Sequence, residues 1–404
     1  MNEIIEIVLY LFNSFPLLFI FIFLYLFKYI TLTQIISIYL FYCIYWQLFS
    51  KVTLIFTKNK LNQELLNNCP SILNPRYKPH FFLPICIFQM LICEFWKPLG
   101  REKLVYEIQN VNKYGTKILW AKFSDMTRKF TNEPILFLFP GMTGVVENGY
   151  IQNLVIEGLH QGYNVVVYQM RILSEDFRLN ETGTFKIYDD IDESLNCIIK
   201  KYKNSKIFAI SGSYGSNNLV YYLGNLNNIN KKIEAAVSIC NPYDMYLCER
   251  FLEGTIFSWI ITYLERRNFK KLRKGIENCK MNNINIEYLS NCDDMKSYDE
   301  EFSSKVYGYK SADDYYRKIS ALRNFENINI PLLCINSKDD GLIPCRVIPY
   351  DDIRLNKNIF LLLADKGAHM CFFSNEKLFG LKQWHLKPIF EFLSSCQNTI
   401  KKNV

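Results

Sequence analysis

The feature that most constrains the fold is an alternation of short apolar runs with helix-like segments that begins near residue 116. The helix-like segments have apolar residues at every third or fourth position, and they occupy 150–161, 187–202 and 217–226. The apolar runs are rich in β-branched and aromatic residues, and they occupy 116–123, 134–139, 164–168, 206–210 and 235–240. This order predicts an α/β fold, with a mostly parallel sheet and helices on both faces.

The alternation is interrupted between residues 241 and 329, where helix-forming, charged and aromatic residues predominate. It resumes with apolar runs at 331–335 and 359–363, followed by a helical segment at 384–395. We therefore expect residues 241–329 to form a helical insertion that lies over the sheet.

The first 57 residues differ in composition from the rest of the chain. They contain four of its 86 charged residues, namely Glu3, Glu6, Lys28 and Lys51. The uncharged stretch 7–27 is 21 residues long, enough to cross the roughly 30 Å hydrocarbon core of a bilayer. The stretch 29–50 is less apolar but also long enough. We predict a retained membrane anchor of one or two helices in residues 1–57, with buried core helices as the alternative.

Basic residues lie on one side of this anchor. None precedes Ile7, and those that follow it include Lys51, Lys58, Lys60, Arg76 and Lys78. Because positive flanks favour the cytoplasmic side, we expect the globular domain in the cytoplasm. The 13 cysteines, an odd number without a Cys-x-x-Cys pair, agree with a reducing compartment.

Composition and motifs narrow the class of function. A net charge of +8, 50% hydrophobic residues and 21% charged residues exclude a disordered chain or a nucleic-acid-binding tail. The sequence has no phosphate-binding glycine loop, dinucleotide fingerprint, His-Glu-x-x-His motif or clustered Cys/His spacing. We expect no cofactor, no metal ion and no nucleic-acid partner.

A strand-turn-helix motif marks a candidate nucleophile. The apolar run 206–210 is followed directly by Ser211-Gly212-Ser213-Tyr214-Gly215 and then by a helical segment. Small neighbours allow the strand and the helix to pass closely around a serine with strained backbone angles. Such a turn exposes Ser213 at the carboxyl end of the sheet, where the N-terminus of the next helix stabilises negative charge.

A serine nucleophile needs a base, and the base needs an acid that orients it. Of the four histidines, His369 alone lies just after a late predicted strand. Asp339 and Asp340 follow one of the later apolar runs, so two carboxylates are candidates. The chain order serine, acid, histidine is that of α/β hydrolases rather than of the unrelated serine proteases.

Several segments carry a resemblance to a known family. They are Phe139-Pro-Gly-Met-Thr-Gly144 with Tyr150-Ile-Gln-Asn-Leu154, Ser211 to Gly224, Gly308 to Tyr316, Asp339 to Pro344 and Gly367 to Phe372. The chain resembles the membrane-anchored α/β-hydrolase-domain lipases and esterases, over about residues 95–396. These include plant embryogenesis-associated hydrolases, a bacterial hydrolase and yeast medium-chain ethanol acyltransferases. Members usually carry one N-terminal membrane segment, which fits residues 7–27 better than a hairpin.

The resemblance assigns the catalytic roles. It makes Ser213 the nucleophile, His369 the base and Asp340 the acid, because the family's acid directly precedes a turn like that from Gly341 to Pro344. Asp339 remains an alternative for the acid. Asp244 is a further alternative that the resemblance implies, because some lipases take their acid after the preceding strand.

The resemblance also implies the oxyanion donors, which are the backbone N–H groups of Met142 and Tyr214. The chain departs from the family pattern at three positions. Ser211, Ser216 and Ala368 stand where the family usually has glycine. All three replacements are small, so we expect the turn to close, with an effect on substrate choice rather than a loss of activity.

Together these observations predict a membrane-anchored serine hydrolase that cleaves carboxylic esters of lipids, either acylglycerols or phospholipids. The alternatives are an acyltransferase that uses the same acyl-enzyme and a catalytically silent protein that binds lipid or a partner. Apolar residues of the insertion form either an acyl-binding cap or ordinary packing on the sheet, and they are Phe251, Leu252, Ile256, Phe257, Trp259, Ile260 and Ile261. The expected organisation is an anchor (1–57), a linker and interfacial segment (58–100), two parts of the hydrolase core (101–240 and 330–404) and the cap (241–329).

Overall fold

Strands form where β-branched and aromatic side chains can pack on a pleated, buried surface. The computed structural model describes residues 25, 31–98, 103–126, 132–142, 144–180, 183–225, 232–278, 283–375 and 381–402. Its strands are β1 (Val52–Phe56), β2 (Leu104–Asn110), β3 (Lys117–Phe123), β4 (Ile135–Phe139), β5 (Asn164–Gln169), β6 (Ile207–Gly212), β7 (Ile233–Ile239), β8 (Leu332–Ser337), β9 (Ile359–Ala364), β10 (Phe373–Asn375) and β11 (Leu381–Gln383).

The helices connect and cover these strands. Among the described residues they are α1 (Leu32–Phe49), α2 (Lys60–Asn67), α3 (Pro70–Leu73), α4 (Cys86–Phe95), α5 (Gly149–His160), α6 (Ile187–Lys201), α7 (Tyr214–Gly224), α8 (Met245–Leu252), α9 (Ile256–Asn278), α10 (Ile286–Asn291), α11 (Met295–Glu301), α12 (Ser303–Tyr307), α13 (Ala312–Ile319), α14 (Tyr350–Leu355) and α15 (Leu386–Lys402).

Nine strands of the described chain form one sheet, in the order β1-β9-β8-β7-β6-β4-β5-β3-β2. The six strands β4 to β9 pair in parallel, whereas β1, β2 and β3 join antiparallel. One face of the sheet packs on α5 and α15, and the other packs on α6, α7 and α14. The prediction of a mostly parallel sheet with helices on both faces is confirmed.

The predicted boundary of the anchor at residue 57 is wrong. β1 is an edge strand of the sheet, with Val52 opposite Ala364 and Phe56 opposite Phe360. The sequence Val-Thr-Leu-Ile-Phe continues the apolar N-terminal stretch, and composition does not distinguish a lipid-facing residue from one that packs at the edge of a sheet.

The expected linker also contributes to the core. α2 and α3 lie within residues 58–100 and bury Leu65, Leu66 and Ile72 in the same hydrophobic cluster as the C-terminal helix α15. Residues 60–73 therefore belong to the globular domain. Composition alone does not reveal these two helices, because each is short and polar turns lie around it.

The second apolar stretch forms α1. Thr31 caps its N-terminus, and the Thr31 and Gln34 side chains satisfy each other's backbone N–H groups. In the described part of the chain, α1 is the one helix long and apolar enough to cross a membrane. The first apolar stretch, 7–27, lies outside the described residues except for Tyr25.

The insertion between β7 and β8 contains α8 to α13. These helices bury a hydrophobic cluster of their own, which includes Leu289, Tyr298, Phe302 and Tyr316. The insertion thus forms a separate helical layer over the carboxyl ends of β6, β7 and β8, where the candidate site lies.

Candidate active site

The turn between β6 and α7 holds Ser213 in an unusual backbone conformation, with φ 55° and ψ −127°. Left-handed φ values are strained for residues other than glycine and persist where the surrounding structure imposes them. A Cβ atom on Gly215 would lie 2.2 Å from the carbonyl oxygen of Pro140. The close approach of α7 to the loop after β4 therefore requires glycine at this position.

The serines that replace family glycines in this turn fit the strand beside it. The Ser211 hydroxyl donates to the Val237 carbonyl at 3.0 Å, and the Ser216 hydroxyl donates to the Ile239 carbonyl at 3.0 Å. Both serines are buried, and β7 satisfies both hydroxyl groups. The expectation that small replacements allow the turn to close agrees with these contacts.

Three predicted residues lie in one hydrogen-bonded chain. His369 Nε2 lies 2.8 Å from Ser213 Oγ, and His369 Nδ1 lies 2.9 Å from Asp340 Oδ2. Asp340 Oδ1 also accepts the backbone N–H groups of Leu342 and Ile343, at 2.8 and 3.0 Å. These bonds fix a buried carboxylate against the imidazole, in the arrangement that a serine nucleophile, a histidine base and an orienting acid require.

The other two candidate acids contact different groups. Asp339 accepts the Ala368 backbone N–H at 2.9 Å, and its second oxygen lies 3.7 Å from Lys366 Nζ. Burial raises the pKa of Asp339, and the nearby Lys366 ammonium opposes this shift. Asp244 caps the N-terminus of α8 by accepting the Leu247 backbone N–H at 3.0 Å. The structure thus brings Asp340, rather than Asp339 or Asp244, to His369 Nδ1.

The residue before the histidine carries backbone strain. Ala368 has φ 51°, a conformation that costs a residue with a Cβ atom roughly 1–2 kcal/mol. Its N–H donates to Asp339, and its carbonyl accepts the Ser337 hydroxyl at 2.8 Å. These two bonds hold Ala368 where the family usually has glycine, and so fix the backbone beside His369.

The two residues predicted as oxyanion donors border the same cavity as Ser213. Tyr214 is the first residue of α7, so its backbone N–H has no partner within the helix. Met142 lies in the loop after β4, next to Gly141, whose N–H donates to the Tyr150 hydroxyl at 3.1 Å. Helix geometry and this bond to α5 thus position both backbone segments beside Ser213.

An apolar cavity of about 460 Å³ opens at Ser213 and His369. Helices α4 and α9 supply most of its apolar wall, through Ile87, Met90, Leu91, Cys93, Phe95, Trp259, Ile260, Ile261, Tyr263 and Leu264. A smaller cavity of about 80 Å³ shares Ser213 and Met142 with it and extends beneath the cap.

The cap residues predicted to bind an acyl chain divide into several groups. Trp259, Ile260 and Ile261 line the larger cavity, and Leu252 lines the smaller one. The remaining three serve packing: Ile256 is buried, Phe251 lies against the Arg346 guanidinium, and Phe257 fills the space above Gly341.

Two carboxyl groups are buried in the cap, and one of them, Asp299, lines the smaller cavity. Asp299 accepts hydrogen bonds from the Ser303 hydroxyl and, at 2.6 Å, from the Tyr316 hydroxyl. Burial raises the pKa of Asp299 to about 7 in spite of these bonds. Burial, together with the nearby Asp299, raises the pKa of Glu265 to about 8. Burial thus brings the pKa values of these two carboxyl groups close to neutral pH.

One group of side chains in the described chain has the chemistry of metal ligands. Cys240, Asp340 and His369 have their ligand atoms within 4.8 Å of one another. Asp340 and His369 already bond to each other, and burial raises the pKa of the Cys240 thiol well above its usual value. Because metals bind the thiolate, this group fits the hydrogen-bonded chain better than a metal site.

Two contributions to the site were not predicted. Tyr150 supports the loop that carries Met142, and α4 forms one wall of the cavity although its residues were assigned to a linker and interfacial segment. The helical spacing of Ile87, Met90 and Leu91 was the signal for α4.

Comparison with known proteins agrees with this architecture. The chain is similar to the embryogenesis-associated protein EMB8 of Picea glauca, with 26% identity over 67% of this chain and 60% of that protein. It is similar to phospholipase ABHD3 of Bos taurus, with 26% identity over 60% of this chain and 59% of that protein. It is also similar to monoacylglycerol lipase of Saccharomyces cerevisiae, with 23% identity over 66% of this chain and 60% of that protein.

The match thus spans about three fifths of the length of each of these relatives. The predicted resemblance to embryogenesis-associated hydrolases and lipases is confirmed. A family model described as the alpha/beta hydrolase fold matches residues 134–376, which is more than half of the chain. The chain therefore belongs to the alpha/beta hydrolase fold family.

Proposed function

We propose that the protein is a serine hydrolase that cleaves carboxylic esters of lipids, with acylglycerols or phospholipids as substrates. The observation that carries this proposal is the hydrogen-bonded chain from Ser213 through His369 to Asp340 at an apolar cavity of about 460 Å³. Such a cavity accepts an acyl chain, and the serine beside it is placed to attack the ester carbonyl.

In the first half of the reaction, Ser213 Oγ attacks the acyl carbonyl carbon while His369 Nε2 takes the hydroxyl proton. The negative charge on the carbonyl oxygen is stabilised by the backbone N–H groups of Met142 and Tyr214. Asp340 stabilises the imidazolium through Nδ1. The tetrahedral intermediate then collapses, and the alcohol leaves with the proton from His369.

In the second half, a water molecule attacks the acyl-enzyme, and His369 takes its proton. Collapse of this intermediate breaks the bond to Ser213 Oγ, which recovers its proton from His369. The products are the free carboxylic acid and the enzyme in its starting form. In each half-reaction the His369 imidazole accepts one proton and then donates it, so the imidazole returns to its starting form.

Two features support a lipid as the ester. The cavity wall from α4 and α9 is mainly apolar, which suits an acyl chain better than a polar substrate. The names of two relatives, phospholipase and monoacylglycerol lipase, describe enzymes of lipid esters.

The proposal places the enzyme on a membrane. α1 has no Asp, Glu, Lys or Arg, and most of its large apolar side chains are exposed. Lys78 Nζ donates to the carbonyl oxygens of Leu48 and Ser50 at the C-terminal end of α1, and Lys51 follows directly. These lysines favour a cytoplasmic position for the hydrolase domain.

The test is hydrolysis of a monoacylglycerol and of a phospholipid in detergent micelles by the purified full chain, measured as release of free fatty acid. We expect the wild type to hydrolyse at least one substrate, and Ser213→Ala to lower the rate by about 10³-fold or more. Ser374→Ala is the matched control, because Ser374 is also half-buried but lies on β10. A Ser213→Ala variant with the wild-type rate would refute the proposal.

A further inference from the structure

We propose that α4 lies at the surface of the lipid bilayer and forms the gate through which lipid substrates pass from the membrane into the cavity. This inference rests on the proposed function for its substrate, but the contact between α4 and the bilayer is tested separately below. Three observations support it. Apolar residues of α4 face both the cavity and the outside of the molecule, hydrogen bonds attach the segment before α4 to α1, and lysines lie at the C-terminal end of the uncharged α1.

α4 separates the cavity from the outside of the molecule. Ile87, Met90 and Cys93 line the cavity that contains Ser213. Leu91 and Phe95 line the same cavity, yet they are 51% and 82% exposed. α4 therefore presents apolar side chains both to the cavity and to the outside of the molecule. An acyl chain that moves between the two stays in apolar contact.

The exposed side of α4 continues the exposed surface of α1. The Tyr39 hydroxyl donates to the Phe82 carbonyl at 2.7 Å, and the Gln47 amide donates to the Pro79 carbonyl. These bonds attach the segment just before α4 to α1. We define the α1–α4 surface as the exposed apolar side chains of these two helices together with Phe82.

A lipid bilayer is the partner that fits this surface. α1 is 18 residues long, about 27 Å of helix, and has no charged side chain. One face of α1 packs on the hydrolase domain, through Tyr42 and Trp46 against Lys366, and its other side exposes large apolar side chains such as Leu40, Phe41 and Leu48. Lys51 and Lys78 stand at its C-terminal end, where anionic lipid phosphates lie.

The consequence concerns the route of the substrate. An ester lipid that reached Ser213 through water would expose its acyl chain, which is unfavourable. A route past Phe95 and Leu91 keeps the chain in apolar surroundings from the bilayer to the cavity. The gate therefore favours long-chain lipids in membranes over soluble esters.

The first test measures the depth of α4 in the membrane. Phe88, which is 42% exposed and is not among the residues that line the cavity, is replaced by tryptophan, and Leu355 is the matched control. Leu355 lies on α14 and is 82% exposed. The carbonyl of the neighbouring Arg354 accepts the Thr57 hydroxyl. Because Thr57 follows β1 and α1 precedes it, Leu355 lies near the end of β1 that is distal to α1. The full chain is placed in phosphatidylcholine vesicles with brominated acyl chains, which quench nearby tryptophan fluorescence.

We expect the emission added by Phe88→Trp to be quenched at least about twofold more than the emission added by Leu355→Trp. Equal quenching of the two added tryptophans would overturn the inference. This readout does not depend on catalysis, so it decides the bilayer contact even if the proposed hydrolase activity fails.

The second test measures the gate itself. For each variant, the hydrolysis rate of a long-chain ester in vesicles is divided by the rate on a soluble short-chain ester. A charged side chain on α4 weakens the insertion of its apolar side chains into the bilayer. We therefore expect Phe88→Asp to lower this ratio by about tenfold, and Leu355→Asp to leave it within twofold of the wild type. The same ratio for both variants would contradict the gate.

Discussion

Asp339 and Asp340 are neighbours in the sequence and lie at the same end of β8, but they contact different parts of the loop that carries His369. Asp340 lies against the imidazole, and Asp339 holds the backbone of Ala368. The first contact acts on the charge of the imidazole, and the second acts on the position of the loop. The two carboxylates are therefore expected to differ in their effect on catalysis.

We expect Asp340→Asn to lower kcat by about 10³–10⁴-fold, because an amide at this position does not stabilise the imidazolium and favours the wrong tautomer. Asp339→Asn retains a hydrogen-bond acceptor for the Ala368 N–H, so we expect a loss of about tenfold or less. The measurement is kcat on a soluble ester for both variants. A larger loss for Asp339→Asn would assign the acid to that residue instead.

At the level of residues, the motifs in the sequence were sufficient to find Ser213 and His369 as candidates. The choice between the two aspartates rested on the family pattern, because consecutive residues share the same position relative to the strand. Their side chains diverge only in the folded turn, where the N–H groups of Leu342 and Ile343 hold one carboxylate toward the histidine. The backbone strain at Ala368 was not predictable from the sequence either, because it depends on backbone angles that only the structure gives.

Among the elements, the cap contains a pH-sensitive group. The pKa of Glu265 is raised from 4.5 to about 8, mainly by burial. Between these two pH values the folded chain keeps a proton that the unfolded chain releases. Its contribution to the free energy of unfolding is therefore fully present below about pH 4.5 and falls as the pH rises to about 8.

We expect Glu265→Gln to remove this pH dependence. Relative to the wild type, the free energy of unfolding of the variant should rise by about 2 kcal/mol or more between pH 5 and pH 9. Denaturant titration of the full chain in detergent measures the difference. Glu64→Gln is the control, because Glu64 is exposed on α2. A difference that is the same at both pH values would show that Glu265 does not titrate in this range.

The central strands were predictable as elements, because each is a continuous apolar run between turn residues. The predicted runs 134–139 and 164–168 agree with β4 (Ile135–Phe139) and β5 (Asn164–Gln169) within one residue at each end. β1 and β2 were missed for physical reasons. β1 follows an apolar segment without a break in composition, and β2 is an edge strand whose exposed side chains weaken its pattern.

At the scale of the whole molecule, α1 is in direct contact with the loop that carries His369. Lys366 Nζ lies 3.0 Å from the Tyr42 hydroxyl and 4.2 Å from the centre of the Trp46 ring, both on α1. The same lysine lies beside Asp339 and three residues before His369. The sequence suggested an anchor joined to the enzyme by a linker, whereas the fold packs α1 against the loop that holds the histidine.

The measurement that tests the central claim most directly is covalent labelling of the full chain in membranes by a fluorophosphonate, followed by mass spectrometry of its peptides. A serine activated by His369 displaces fluoride from the phosphorus and becomes phosphonylated, so we predict a label on Ser213 that is absent from Ser213→Ala and retained in Ser374→Ala. An unlabelled wild type, or equal labelling of wild type and Ser213→Ala, would contradict the assignment of Ser213 as the nucleophile.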